Sequence, residues 1–259
     1  MKKFLLLAMS TLLFSCGGGG DGDGASGDAC GVLGLKVING EQCDYSASPV
    51  VVIVIGDNAG NPIGLCSGTM ISTNKVLTAA HCIVDAGGSR FIVGSGSQSA
   101  RVSRAAYHPN YTPTSTVSPF DVAVMTLDRS LNLPTVPLLL SRNIESGDRC
   151  TVFGYGDDEN GQSFAELGFA ALKSTFVEVV EHSDGAIVSL FDETDSGACE
   201  GDSGGPLVGT KDSISGIVGV VQGGTAEDCK KGSLEVFTDL QTNTTLDFVI
   251  AEAPGAAVL

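Results

Sequence analysis

Gly201-Asp202-Ser203-Gly204-Gly205-Pro206 is the stretch on which the reading of this chain turns. A serine among glycines sits where the backbone can bend sharply, because no Cβ obstructs the bend. Such a turn exposes a hydroxyl and aims two backbone N–H groups at one point. Acyl transfer needs both, a nucleophile and donors for the oxyanion that forms on the attacked carbonyl. Alone, the hexapeptide reads equally as a tight turn between strands. Two upstream stretches change its meaning. Thr78-Ala79-Ala80-His81-Cys82 follows Lys75-Val76-Leu77, and Phe120-Asp121-Val122-Ala123-Val124-Met125-Thr126-Leu127 puts an aspartate at the head of an alternating strand.

His81, Asp121 and Ser203 thus appear in the chain order of one known group of His-Asp-Ser enzymes. On these motifs the chain resembles the trypsin/chymotrypsin-like serine peptidases, from about Val37 to Phe248. The composition agrees on fold class: Val-rich runs broken by 35 glycines, with no Trp, read as many short strands and an all-β fold. The resemblance adds the architecture, two six-stranded antiparallel Greek-key β-barrels and a C-terminal helix, in a protease domain over 37–259. Thr242 to Ala253 reads as that helix, with Thr242 or Asn243 as N-cap.

The resemblance also assigns roles. Ser203 is the nucleophile, His81 the general base and then acid, and Asp121 orients the imidazole. The N–H groups of Gly201 and Ser203 form the oxyanion hole. Cleavage after Lys36 frees the amine of Val37, which pairs with Asp202 and draws the turn into shape, so the precursor is a zymogen with an activating protease as partner. On the residues alone, Val37-Ile38 equally begins a strand. The pocket for the residue before the scissile bond (S1) falls to Gly197, Ala198, Gly224 and Glu235. No aspartate stands at its base, which argues against a simple Arg/Lys pocket. Glu235, where the family has a small residue, either puts a carboxylate low in the pocket or points to solvent. With the carboxylate inside, the site takes bulky apolar residues and also Lys or Arg.

Departures from the family pattern lie at Gln222-Gly223-Gly224, where a serine usually supports the catalytic aspartate and an aromatic residue walls the adjacent subsites. Gln222 retains the ability to donate to Asp121; Gly223 leaves no wall. No calcium is expected between Phe91 and Val102, where the chain reads Gly-Ser-Gly-Ser-Gln-Ser. Neither a metal nor a cofactor is implied elsewhere. Asp157 to Gly161 reads as a solvated loop, His108 as a loop residue, and His182 lies outside any motif.

Lys2-Lys3 and the apolar run Phe4 to Phe14 form a signal peptide, too short to span a bilayer. Its end at Ser15-Cys16 resembles a lipoprotein signal, giving residues 1–16 as signal with Cys16 as the lipidated residue. Ordinary secretory cleavage, with Cys16 incidental, is the alternative. Gly17 after the cysteine resembles an outer-membrane sorting signal, so the chain is read as an exported outer-membrane lipoprotein or a secreted protein. Residues 17–36 are a Gly/Asp/Ser tether with nothing to bury. The net charge of −16 argues against nucleic acid or an anionic membrane as partner, leaving the lipid as the only membrane attachment.

Eight cysteines in an exported chain predict bridges. The resemblance implies Cys66–Cys82 and Cys199–Cys229. Cys30, Cys43 and Cys150 are left over, with Cys43–Cys150 the preferred pair. A Cys30 bridge would keep a cleaved enzyme on its anchor. The function expected is that of a serine endopeptidase acting on proteins or peptides. An inactive protease-fold binding protein is the competing class, with Gln222-Gly223 as its main argument. A hydrolase of Ser-Asp-His order is excluded by the order here.

Overall fold

The computed structural model describes residues 37–38, 42–43, 48–113, 117–156, 173–183, 185–190, 198–224 and 233–259. The expected signal, Cys16, Cys30, the tether, the 157–161 loop, Gly197 and Cys229 lie outside these residues, as do the side chains of Val37 and Cys43.

The described chain forms a two-stranded ribbon and two closed barrels. Ribbon strands β1 (Val37–Ile38) and β2 (Gln42–Cys43) pair antiparallel. The first barrel runs β3 (Val50–Gly56), β4 (Pro62–Ser72), β5 (Lys75–Thr78), β6 (Arg90–Ser95), β7 (Gln98–Tyr107) and β8 (Ala123–Leu127). Its spatial order is β3-β4-β5-β8-β7-β6. A fourth strand returning beside the first of three consecutive ones is the Greek-key pattern, and β6 does so beside β3. The second barrel repeats it with β9 (Arg149–Gly154), β10 (Lys173–Ser183), β11 (Ala186–Leu190), β12 (Pro206–Lys211), β13 (Ile214–Gly224) and β14 (Leu234–Asp239), where β12 pairs with β9. Closure removes the free strand edges that would otherwise invite pairing with other chains.

Alternation explains the strands. In β3, Val51, Ile53 and Ile55 are buried in the first core while Val52 and Val54 are half-buried on the other face. Truncating Ile53 to Ala should cost about 2–5 kcal/mol. In β10, Val177 and Val179 enter the second core while Glu178 and Val180 face out. Cys150 sits inside that same core, is buried and is a free thiol. This corrects the Cys43–Cys150 expectation: β9 turns the sulfur into the barrel, and burial pushes its pKa up to about 12.

The last element, α2 (Asn243–Glu252), packs on the first barrel although it follows the second. Thr242 is its N-cap residue, with its hydroxyl 2.6 Å from that of Thr245. His108, after β7, lies between this helix and the Asp121 loop. Its ring stacks on Phe120 at 4.7 Å and meets Phe248 edge-on at 5.3 Å. Its Nε2 lies 3.3 Å from the Thr244 carbonyl, and burial holds its pKa below the ordinary histidine value. It is a loop residue, as expected, and its ring packs between two elements.

Candidate active site

The site lies between the barrels. After β5 the chain runs through Ala79 and Ala80 into the single helical turn α1 (His81–Val84), which His81 opens. Cys82 beside it is bonded to Cys66 on β4, so the turn is fastened to its neighbouring strand. Asp121 stands two residues before β8, in the loop leading to it, and is 2% exposed. Both carboxylate oxygens serve His81. Oδ1 accepts from its backbone N–H at 2.9 Å, and Oδ2 lies 2.7 Å from Nδ1. A carboxylate facing Nδ1 places the proton there, so Nε2 presents its lone pair. Thr238 on β14 donates to the Asp121 carbonyl at 3.0 Å, tying this loop to the other barrel.

Ser203 arrives from the second barrel, in the turn before β12. Gly201 and Gly204 have φ of +92° and +84°, a region glycine enters without strain. Space adds to the demand at Gly204, where a Cβ would lie 2.1 Å from the Thr78 hydroxyl and 2.4 Å from the Ser67 carbonyl. The Ser203 carbonyl accepts from Ser67 N at 2.8 Å, and the Gly204 and Gly205 N–H groups donate to Val221 and Asp202 carbonyls. Among the described residues, the N–H groups of Gly201 and Ser203 donate to no chain atom. They are two free donors, two positions apart along one tight turn. The Cys82 sulfur lies 3.7 Å from both His81 Nε2 and the Ser203 carbonyl oxygen, so the imidazole and the serine share a neighbour. Among the described residues the Ser203 hydroxyl is not hydrogen-bonded to the imidazole.

Asp202 is buried at 7% exposure, and its carboxylate accepts from Gly156 N at 2.7 Å and Cys199 N at 2.8 Å. A Cβ on Gly156 would fall 2.5 Å from that carboxylate, so the approach depends on glycine. Val37 sits in the ribbon strand β1.

Glu235 on β14 is 3% exposed. Its oxygens accept from Ser189 Oγ at 3.0 Å and from Ala198 N at 2.5 Å. Gly224, at the end of β13, is its cross-strand partner. Burial raises the Glu235 pKa to about 7 against those two hydrogen bonds, with the Asp202 charge adding to the rise. Cys199, next to Ala198, is disulfide-bonded.

Gln222 does not reach Asp121. Its side-chain amide donates to the Ser118 carbonyl at 2.8 Å and accepts from Ser118 N at 3.2 Å, three residues short of the aspartate. The longer side chain overshoots the position from which a serine would donate and clips the loop instead. Tyr111 closes the Tyr107-to-Tyr111 stretch that matches a common family pattern, and its hydroxyl donates to Asp85 at 2.6 Å just after α1. Burial, that bond and the nearby Asp121 and Asp85 charges raise its pKa and keep it protonated. His182 pairs with the buried Asp239 at 2.9 Å, a contact its sequence surroundings do not announce. Cys66, His81 and Cys82 gather within 4.8 Å, but both sulfurs are spent in the disulfide, so the group lacks thiolate ligands.

A double Greek-key barrel with a carboxylate-held histidine and a Gly-rich serine turn at the seam is the layout of a chymotrypsin-type hydrolase. The trypsin family model matches residues 37–246, and the chain belongs to that family of serine proteases. It is similar to human kallikrein-7, at 28% identity over 84% of this chain and 87% of that one. It is also similar to human chymotrypsin-like elastase family member 1 (26% identity, 72% of this chain and 81% of that one) and to a trypsin of Saccharopolyspora erythraea (27%, 66% and 81%). A solved collagenase structure shares the fold, with a TM-score of 0.68 over 84% of this chain and 99% of that one at 22% identity.

Proposed function

We propose that the chain is a serine endopeptidase that cleaves peptide bonds through an acyl-enzyme, with Ser203 as nucleophile. The observation that carries this is the buried Asp121 carboxylate gripping His81 at both its backbone and its ring, which leaves Nε2 ready to accept a proton. Ser203 Oγ attacks the substrate carbonyl as its proton passes to Nε2, and Asp121 stabilises the imidazolium that results. The oxyanion is received by the Gly201 and Ser203 N–H groups. His81 then gives the proton to the leaving amine, and water repeats the sequence to release the acid.

Cleavage after Lys36 is proposed to activate the enzyme, the freed Val37 amine pairing with Asp202. A buried carboxylate gains from a cationic partner, and breaking such a pair costs about 3–5 kcal/mol. Glu235, inward-facing and bonded to Ala198, is proposed as the acidic floor of S1, where it accepts Lys or Arg when ionised and apolar side chains when neutral. Residues 1–16 and 17–36 are proposed as a lipoprotein signal and tether, so the enzyme is exported.

The test is labelling of processed protein by a fluorophosphonate probe, with turnover of a peptide library. Wild type should label at Ser203. Ser203→Ala should not label and should lose about 10⁶ in kcat, the size seen when another serine protease loses its nucleophile. A processed wild type that neither labels nor cleaves is an inactive binding protein and refutes the reading. Intact mass and N-terminal sequencing of the mature chain test the lipid and the Val37 start together.

A further inference from the structure

Ser67 lies on β4 of the first barrel and is fully buried, yet the proposed chemistry does not use it. Its neighbours on either side have plain structural duties: Cys66 is in the disulfide and Gly68 packs against β5. On a pleated strand Ser67 faces opposite to Cys66, away from the first core and toward the second barrel. Two of its polar groups make three hydrogen bonds there. Its hydroxyl donates to the Gly201 carbonyl at 2.8 Å and accepts from Tyr155 N at 2.9 Å. Its N–H donates to the Ser203 carbonyl at 2.8 Å.

We propose that the Ser67 hydroxyl is a positioning residue for the oxyanion hole, a latch that holds the Gly201–Ser203 turn with both amides facing the substrate. This deepens the protease reading and rests on it. The argument is one of orientation. A peptide unit can rotate so that its carbonyl or its N–H faces a given point, and glycine at 201 makes rotation easy. A carbonyl turned into the site would repel the charge that develops there. Ser67 holds the carbonyls of residues 201 and 203 against the first barrel, one by side chain and one by backbone, and so fixes the peptide units on either side of the 202–203 unit that carries the Ser203 N–H. The two amides are left as the turn's unspent donors. A hydroxyl is suited to the task because it donates and accepts at once. Its acceptor side takes Tyr155 N, and the next amide, Gly156 N, binds Asp202. Consecutive amides of one segment therefore join Ser67 to the residue beside the nucleophile. The backbone N–H of residue 67 is available to any amino acid, so the side chain alone is the variable part.

The experiment compares processed wild type, Ser67→Ala and Ser67→Thr for kcat, KM, affinity for a peptide trifluoromethyl ketone and affinity for the matching product peptide. The ketone forms a tetrahedral oxyanion on Ser203; the product does not. Loss of a whole oxyanion donor costs roughly 10²–10³ in kcat, so loosening two donors by removing their latch should cost roughly 10–100-fold. The expected pattern for Ser67→Ala is that loss in kcat, a parallel loss of ketone affinity, and KM and product affinity within about threefold. Ser67→Thr, which keeps the hydroxyl, should recover most of the ketone affinity. Thr245→Val removes an equally buried hydroxyl that bonds the Asp239 carbonyl, apart from the Ser67 contacts, and serves as the control for general destabilisation. If Ser67→Ala does not fold, the same ratio is read in Ser67→Gly, which should fall between Ala and wild type because a water can replace the hydroxyl. Equal losses of ketone and product affinity, or an unchanged kcat, overturn the proposal. A wild type that fails to label with fluorophosphonate overturns the protease reading itself, and the failure is then seen before any variant is made.

Discussion

Glu235→Gln is the substitution whose effect the structure sizes most directly. The carboxylate is 3% exposed, held by one hydroxyl and one amide, and burial lifts its pKa from the ordinary 4.5 to about 7. A group that holds its proton more tightly when folded stabilises the fold below its unfolded pKa. That contribution is lost as pH rises through the folded value. The folded chain binds the extra proton only between 4.5 and about 7, and stability falls across that window. At ~1.4 kcal/mol per pH unit the loss is about 3 kcal/mol by the upper end. Gln keeps the shape, its oxygen can accept from Ala198 N, and it does not ionise. Denaturant unfolding of both proteins at a series of pH values is the assay. Wild type should lose about 3 kcal/mol relative to the variant between about pH 4 and about pH 8, with no further divergence above. The same titration should appear in specificity: cleavage after Lys, relative to Leu, rises through about pH 7 in wild type and stays flat in Glu235→Gln. A stability difference independent of pH would refute the burial argument. Basic cleavage unchanged in the variant would remove Glu235 from S1.

Replacing Cys66 and Cys82 together by Ala opens a bridge spanning 16 residues and should cost about 3 kcal/mol in urea unfolding, with a larger loss of kcat than of substrate affinity because α1 carries His81. Gly204→Ala should abolish turnover and destabilise by about 3 kcal/mol or more, read by thermal unfolding, because φ is +84° and the new Cβ meets backbone at 2.4 Å. Cys150 should resist iodoacetamide at neutral pH in the folded protein and react on unfolding, as mass spectrometry would show, since its thiol is buried with a pKa of about 12.

The parts of this molecule that announce themselves in sequence are those where chemistry restricts residue choice. Gly201 to Pro206, Ala79 to Cys82 and Phe120 to Leu127 each carry a turn, a ligand or an alternation with few substitutes, and they led to the fold. β10, β11 and β12 carry none, and Lys173–Ser183 passes as an ordinary run of mixed Val and Glu until β9 and β11 are seen pairing with it. Contacts across the barrels were the least legible. Ser67 is one hydroxyl in an apolar strand, and its partners are main-chain atoms 134 and 88 positions away, which leave no residue-type signal. The reach of Gln222 to Ser118 rather than Asp121 depends on side-chain length against a loop whose path no local pattern specifies. Cys150 misled for the converse reason: cysteine number says that bridges exist, whereas the direction in which β9 turns a given sulfur decides which.

The C-terminal helix belongs spatially to the barrel that is made first. Leu240, Val249 and Ala253 join its core, and Phe248 and Thr244 hold the histidine that backs the Asp121 loop. The first barrel is therefore closed over by residues from the far end of the chain, and the ring behind the Asp121 loop is seated only where positions 136 apart have met.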